Sequence, residues 1–423
     1  MKIALLNPPS PFLIEQKAFA PLGLLYLASA LKQTDFDVQI QDLANREDDL
    51  ESALERVSAD IYGLSASTPQ YPYAEKIKDL IKKKNSQALV IIGGAHPSSE
   101  PQECLGDGFD AVVIGEGERA IADIAREFQQ SGKIASSRVK SEYIKDIDTI
   151  AYPDREAIDI SAYAYEVDGA QATTLITSRG CPYNCAFCSK DVWSNKVRYH
   201  SAEYVLTELK LLIEKWGFTH FLFLDDSLTL NKKRAEKLFA AMAPFNIRWR
   251  CYVRSDQITR ELLAQMKDAG CIEAGIGVES ASAEILKNVE KGVTIEQHTQ
   301  VIQWCKELGI IANVFLMIGL PGETYATVNE TKEWFERVRP DKFGFNIFYP
   351  YAGTPIYRQW QRYDIQFHDL SAQHSWVKGR KNEYRSYVST KALTREEILR
   401  LHRELFEHFI QLTGWRTNWE GKK

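Results

Sequence analysis

The sequence has no apolar run near the ~20 residues that cross a bilayer. Its first apolar stretch, Ile3 to Leu6, is too short for a secretory signal and has no cleavage pattern behind it. Basic residues are not in excess: 52 Lys and Arg stand against 57 Asp and Glu, a formal charge of −5. Neutralising a phosphate backbone needs the opposite balance, so nucleic acid is not an expected partner. Cysteine is scarce, seven in 423 residues. That is far below the density of a disulfide-stapled secreted domain, and an odd number cannot all pair. Hydrophobic residues at 44% and charged residues at 26% exclude a collagenous, low-complexity or disordered chain. These absences lead us to expect a cytoplasmic protein of two or three domains without a membrane partner. Nothing among them decides an oligomeric state.

What the chain does have is a βα rhythm. In the first ~130 residues, short apolar runs alternate with helix-compatible segments, the pattern of a parallel sheet. Strands are expected at Lys2–Leu6, Phe36–Ile40, Asp60–Ser65, Ala88–Gly93 and Asp110–Gly115, with helices over Pro21–Lys32, Asp48–Val57, Tyr73–Lys84 and Ser98–Leu105. Polar or Gly-rich segments follow the strand ends at Ser65–Thr68, Gly93–His96 and Gly115–Glu118, where ligands sit in open parallel sheets. Periodicity fades from about Gly132 to Gly169, which reads as a linker. Six more strands are then expected, at Thr173–Thr177, His220–Asp225, Arg248–Arg254, Glu273–Glu279, Ala312–Gly319 and Lys342–Tyr349. Six βα units in succession suggest a partial barrel.

The helices between them are well punctuated. Ser201 is placed to cap a helix with a stripe of Leu206, Leu209, Ile213 and Trp216, ended by Gly217. Thr294 with Gln297, and Thr394 with Glu397, form capping boxes. The fold class is therefore α/β: a doubly wound parallel sheet over 1–135, a linker over 136–169, a (β/α)6 partial barrel over 170–350, and a mostly helical carboxyl-terminal region over 351–423.

Three of the seven cysteines, Cys181, Cys185 and Cys188, crowd into one loop as C-x3-C-x2-C. Three thiolates on a short loop suit three irons of a 4Fe-4S cluster and leave the fourth iron without a protein ligand. Zinc is the alternative, but it needs a fourth ligand, and His200 lies twelve residues on. A buried-core reading fails because Gly180, Pro182 and Asn184 mark a loop. The other four, Cys104, Cys251, Cys271 and Cys305, read as small core hydrophobes. Strand alternation turns Trp249, Cys251 and Val253 toward the helices, which leaves Arg250, Tyr252 and Arg254 inward, Arg254 at the functional end. It likewise turns Gly275 and Gly277 inward, leaving room for a ligand, with Glu279 at the rim.

The cysteine spacing, its place after the first strand of the βα series, and Phe187 before the third cysteine resemble the radical S-adenosylmethionine (SAM) superfamily. The resemblance implies that the open iron chelates SAM and that an electron from the cluster releases a 5′-deoxyadenosyl radical. A low-potential donor of flavodoxin or ferredoxin type would deliver that electron. Further motifs in this sequence carry expected SAM contacts. Phe223–Thr229 is similar to the second-strand motif and points to Asp225 and Asp226. Gly277–Ser280 is similar to the ribose motif and points to Glu279 and Ser280. Lys291 stands where relatives carry a basic residue toward the SAM carboxylate. The loop Gly319–Thr324 is similar to the one bordering adenine, which adds Gly319 and Pro321. Arg254 joins this set from its position at the strand end.

A doubly wound sheet ahead of such a barrel resembles the cobalamin-binding radical SAM enzymes, whose amino-terminal domain is Rossmann-like. The residues it implies around the corrin are Ser65, Ser67, Thr68, Gly93, Gly94, His96, Gly115, Glu116 and Gly117. The D-x-H-x-x-G pattern that supplies a lower axial histidine is missing, since Leu43 and Ala44 follow Asp42. Cobalamin is therefore expected base-off, without a histidine from that position. His96 beside Gly-Gly and Pro reads equally as a loop hydrogen-bonder, and a sheet that only shapes the substrate entrance is the plainer reading of this domain. The implied reaction is methyl transfer to an unactivated carbon or a phosphinate phosphorus of a small molecule or peptide. Ring formation, contraction or rearrangement without methylation is the alternative. A non-catalytic carrier is a third reading, and a transfer-RNA methylthiotransferase lacks here its second cluster's cysteines. Tyr349, Tyr351, Tyr357 and Trp376 read as a pocket wall or as packing between domains.

Overall fold

The computed structural model describes residues 1–11, 13, 15–368 and 384–415. They form two compact units: the first holds residues 1–165 with 189–198, the second the remaining described residues. Trp376 lies outside the described residues.

The first unit is a six-stranded sheet, in the order Asp37–Asp42, Lys2–Asn7, Ile61–Ser65, Leu89–Gly93, Ala111–Ile114, Arg138–Lys140, with every pairing parallel. Alternation along the central strands builds a core on each face. Ala4, Leu6, Val90 and Ile92 pack toward Ala74, Ile77 and Ile81 of the Tyr71–Lys84 helix. Ile3, Leu5 and Ile91 pack the opposite way, toward Leu24, Ala28 and Leu31 of one helix and Ile121, Ile124 and Ala125 of another. Strand order reverses at Lys2–Asn7, so the switch-point crevice opens at the carboxyl ends of that strand and Ile61–Ser65.

The segment expected to be a linker is built into this unit as far as Tyr165, and its last residues, from Glu166, begin the second unit. It supplies the edge strand Arg138–Lys140 and buries Ile144, Ile147, Ile150, Ile160 and Tyr163. The Tyr163 hydroxyl donates to Asp42 at 2.6 Å. These apolar residues are spaced too unevenly to register as a period, and they bury singly.

In the second unit, seven strands lie in the order Lys342–Ile347, Ile311–Ile318, Cys271–Glu279, Arg248–Val253, His220–Phe223, Ala170–Leu175, Glu166–Val167. Only the last pairing is antiparallel. All six expected strands are present, and neighbours in space are neighbours in sequence. Winding in one direction is the arrangement of a partial barrel, with helices outside and a lumen inside. Trp249, Cys251 and Val253 are buried on the helix side, as alternation requires.

The Ser201 hydroxyl caps its helix by accepting from Tyr204 N at 3.1 Å, and Gly217 ends it. The capping boxes at Thr294 and Thr394 are both formed. The buried stripe of the Ala202–Trp216 helix is a correction. Tyr204, Val205, Leu209 and Leu212 face the core, whereas Leu206, Ile213 and Trp216 are half-exposed. Two overlapping apolar stripes satisfy the helical period here, and packing against the sheet selects the one beginning at Tyr204. The Arg395–Thr413 helix seats Phe409 on Phe335, Phe343 and Phe345, covering the last barrel strand. Among the described residues no helix is long and apolar enough to cross a membrane.

Candidate cofactor site

The barrel lumen is filled in layers. At its amino-terminal end Glu273 accepts from Asn313 Nδ2 at 2.9 Å and from Lys342 Nζ at 2.7 Å, and pairs with Arg250 at 3.1 Å. These charges hold the Glu273 carboxyl below its usual range although burial pushes the other way. Above them lie Tyr252 and Phe315, ring centres 5.9 Å apart. A Cβ on Gly275 would fall 2.9 Å from the Tyr252 ring and 3.0 Å from Phe315. The space expected at Gly275 for a ligand is therefore taken by two aromatic rings. At Gly277 a Cβ would meet Glu279 Oε1 at 2.6 Å and Lys291 Nζ at 3.0 Å.

That meeting point is the carboxyl end of the sheet, where several expected residues converge. Lys291 Nζ donates to Glu279 Oε1 at 2.7 Å, both side chains buried, and lies 5.7 Å from the Phe187 ring centre. Glu279 holds a φ of +66°, a conformation that costs a non-glycine residue and turns its carboxylate toward Lys291. Arg254 Nη1 approaches Cys185 Sγ at 3.5 Å, while Nη2 donates to the Lys291 carbonyl. Its guanidinium carbon sits 3.6 Å from the centre of the Tyr183 ring, and Nε faces Asp256 Oδ1 at 2.9 Å. Burial lifts the Tyr183 hydroxyl to about 12, keeping it neutral beneath the cation. Cys185, Phe187, Arg254, Glu279 and Lys291 are thus one constellation. Tyr183 and Asp256 belong to it and went unread in the sequence, although one lies inside the cysteine motif and the other two residues beyond Arg254.

The remaining expected SAM residues stand differently. Asp225 is buried and accepts from Thr177 N, Thr177 Oγ1 at 2.8 Å and Ser178 Oγ at 2.5 Å. Burial raises its carboxyl, while Arg234 and these bonds pull it down. It ties the His220–Phe223 strand end to the segment before the cysteine loop. Asp226, its neighbour, is exposed. The Ser280 hydroxyl lies 3.3 Å from Thr331 Oγ1 and supports the turn behind the strand. Gly319 N donates to Glu323 Oε2 at 2.5 Å, and Pro321 O accepts from Asn288 at 3.3 Å. Glu323 is a further residue the sequence reading missed: burial raises it to about 8 against two backbone donors.

In the first unit the strand-end loops touch one another: Ala66 N donates to Gly93 O at 3.0 Å and His96 N to Ala66 O at 3.1 Å. Gly94 has φ +104°, and a Cβ there would lie 2.9 Å from Ala66 O and 3.0 Å from Ser65 Oγ, so the loop accepts only glycine. Ser67 is engaged in a capping box with Gln70, which also donates to Pro8 O at 3.0 Å. His96 is fully buried, its ring centre 4.1 Å from that of Tyr71 and tilted to it by 32°, with Nδ1 3.3 Å from Thr68 Oγ1 and Nε2 3.3 Å from Glu103. Gly115 N donates to Ser98 Oγ at 3.0 Å. Glu116 forms a buried ion pair with Arg198 at 2.5 Å, and a Cβ on Gly117 would meet Leu27 at 2.8 Å. Ser65, Ser67, Gly93 and Gly94 therefore edge the loop face, while Glu116 and Gly117 serve packing. The switch-point segment Asn7–Ser10 went unread; Gln16 holds it through Ser10 N at 2.7 Å, and the strand-order reversal is the signal that locates it.

Among the described residues no three His, Cys, Asp or Glu side chains close on one point as a single metal ion requires. Thiolates of a 4Fe-4S cluster bind different irons and stand further apart. A cysteine loop beside a fixed cation, and a Cβ-free position under an ion pair, fit a cluster with a zwitterionic ligand. The glycine-edged switch face of the first unit fits a broad cofactor.

Comparison with known proteins agrees with this geometry. A model of the radical SAM superfamily matches residues 175–335, and one of the B12 binding domain matches residues 17–125. An uncharacterized methyltransferase of Pyrococcus horikoshii is 30% identical over 434 residues, covering 97% of this chain and 92% of its own. The anaerobic magnesium-protoporphyrin IX monomethyl ester cyclase of Cereibacter sphaeroides is 26% identical over 411 residues, covering 90% of this chain and 65% of its own. The solved structure of the radical SAM methyltransferase TsrM from Kitasatospora setae, described with cobalamin and a 4Fe-4S cluster bound, aligns with TM-score 0.77. It shares 19% identity, covers 96% of this chain and 90% of that one, and shows the shared fold. Two family models laid over the two units in chain order, and a relative at 30% identity along nearly the whole length, show that the chain belongs to the cobalamin-binding radical SAM enzymes.

Proposed function

We propose that the protein methylates an unactivated carbon, or a phosphinate phosphorus, of a small molecule or peptide. The observation that carries the radical part is the convergence of Cys185, Phe187, Arg254, Glu279 and Lys291 at one end of the barrel sheet. Methyl transfer rests on the name of the Pyrococcus horikoshii relative. When bound, the 4Fe-4S cluster, SAM and cobalamin together supply one-electron cleavage of a sulfonium and a transferable methyl group. Cys181, Cys185 and Cys188 would hold three irons. Lys291, held against Glu279 over Gly277, would take the carboxylate of SAM, and Glu279 its ribose. Gly319 and Pro321 would border its adenine, with Glu323 fixing the loop through Gly319 N.

Ser65, Ser67, Gly93 and Gly94 would edge the corrin. A base-off form without a histidine ligand is supported by His96, whose ring is buried between Thr68 and Glu103, and by Asp42, whose carboxylate accepts from Asn7 and Tyr163. The cluster's electron would come from a flavodoxin- or ferredoxin-type donor. The domain limits we propose are those of the sequence reading, with 136–165 attached to the first unit through its edge strand.

The test is anaerobic reconstitution, mass spectrometry of what is bound, and turnover with SAM deuterated on its methyl group. Methyl transfer through a radical predicts S-adenosylhomocysteine and 5′-deoxyadenosine in comparable amounts, with the label intact in product. The cyclase relative favours a second reading: 5′-deoxyadenosine without stoichiometric S-adenosylhomocysteine, and no methyl gained, would establish it instead.

A further inference from the structure

Arg254 has more partners than a residue waiting for a ligand needs. Two edges of its guanidinium donate, Nη1 to Cys185 Sγ at 3.5 Å and Nη2 to the Lys291 carbonyl, its face lies 3.6 Å from the Tyr183 ring centre, and Nε is ion-paired with Asp256 Oδ1 at 2.9 Å without a hydrogen bond between them. Its side chain is 10% exposed and that of Asp256 16%, so water screens the pair weakly. Four contacts from three stretches of chain hold one cation against one motif sulfur. Holding a residue this firmly gives up side-chain entropy, and the return is a fixed charge at a fixed place.

We infer that Arg254 and Asp256 form a charge couple that sets the reduction potential of the cluster held by Cys181, Cys185 and Cys188. The inference rests on the cluster reading above and goes beyond it. Reduction adds one electron, and so one negative charge, to a centre whose thiolates are already anionic. A hydrogen bond and a positive charge at a ligand sulfur stabilise the reduced form more than the oxidised form, and the potential rises. Asp256 lies on the far side of the guanidinium and partly cancels its field. Both groups act through Cys185 rather than on a substrate, so they are positioning residues. Neighbours two apart in sequence should therefore move the potential in opposite directions.

The test is an EPR-monitored redox titration of the reconstituted protein without SAM, on wild type, Arg254→Gln, Arg254→Lys and Asp256→Asn. Arg254→Gln should lower the midpoint, so that at a fixed potential the reduced-to-oxidised ratio falls roughly tenfold, about 59 mV for one electron. Asp256→Asn keeps the size and shape of the side chain, removes the charge and should raise the midpoint. Arg254→Lys should fall between wild type and Gln. Loosening of the loop alone would move all variants the same way, and that result, or unchanged midpoints, overturns the proposal. If Arg254→Gln assembles no cluster, Asp256→Asn decides, and a midpoint unchanged or lowered there is the overturning result. A wild type that binds no cluster at all refutes the cofactor reading instead, so the two failures are distinct.

Discussion

The Glu116–Arg198 pair separates two readings of one residue. Its place in a strand-end loop marks Glu116 as a cobalamin contact, whereas the structure gives its carboxylate to Arg198 Nη1 at 2.5 Å. Both side chains are nearly sealed, 5% and 4% exposed, and Arg198 also donates to Ile144 O at 2.7 Å and lies over the Tyr143 ring at 4.5 Å. Replacing Glu116 with Gln keeps the volume but strands a buried guanidinium without its counter-charge. Breaking one side of such a pair costs ~3–5 kcal/mol, whereas removing both charges together is often close to neutral. Urea denaturation of the cluster-free protein should therefore show Glu116→Gln destabilised by about that amount, and Glu116→Gln with Arg198→Met recovering most of it. Hydroxocobalamin titrations run alongside should show the double variant binding as wild type does. The reasoning is refuted if Glu116→Gln costs under ~1 kcal/mol, the level of a surface pair, or if the double variant is no more stable than the single. Weakened cobalamin binding at full stability would return Glu116 to the corrin.

Replacing Cys181, Cys185 and Cys188 with Ala should abolish cluster absorbance and SAM cleavage while hydroxocobalamin still binds; a reducible cluster in that variant ends the assignment. Hydroxocobalamin bound to the whole protein and reduced by one electron to cob(II)alamin with a chemical reductant should give the electron-spin signature of a base-off form, and nitrogen coupling to cobalt would contradict it, with His96 the first residue to replace. Gly277→Ala should push Glu279 and Lys291 apart, since its Cβ falls 2.6 and 3.0 Å from them; calorimetry should find SAM bound roughly tenfold more weakly, ~1.4 kcal/mol, with thermal stability kept. Glu323 titrates near 8 in the fold, above its ordinary 4.5. Its stabilising effect is complete below the ordinary value and is lost as pH rises toward 8, so wild type should lose stability between pH 5 and 8 and Glu323→Gln should flatten that fall.

Much of the fold was legible because local and global preferences agree. Ala88 to Gly93 is apolar on both faces, and it is a central strand with a core on each side. Thr294 and Thr394 carry their capping partners three residues on, and both boxes form. Legibility failed where two patterns share one period. In the Ala202–Trp216 helix Leu206, Leu209, Ile213 and Trp216 satisfy helical spacing, and so do Val205, Leu209 and Leu212. Only the sheet beneath chooses between them. It also failed over 136–169, where Tyr163 plugs a site whose partner, Asp42, stands 121 residues earlier.

At the site, the sequence carries residue types and facing but not occupancy. Alternation turned Gly275 and Gly277 inward correctly, yet whether a bare position leaves a cavity depends on what fills it from other strands. Tyr252 and Phe315 fill the first, and the Glu279–Lys291 pair closes on the second. Alternation likewise placed Arg254 at the functional end, and there its partners come from 69 and 37 residues away in the chain. Its third partner, Asp256, is close enough to have been seen, but a carboxylate two residues from an arginine is ordinary in any sequence. It gains meaning only when the far side of the guanidinium is found on a motif sulfur. The cysteines are legible alone because their ligand chemistry depends on spacing within one loop. The charges that would tune them are not, because a field at a sulfur is a property of the folded chain, set by which distant groups the barrel brings within a few ångströms of it.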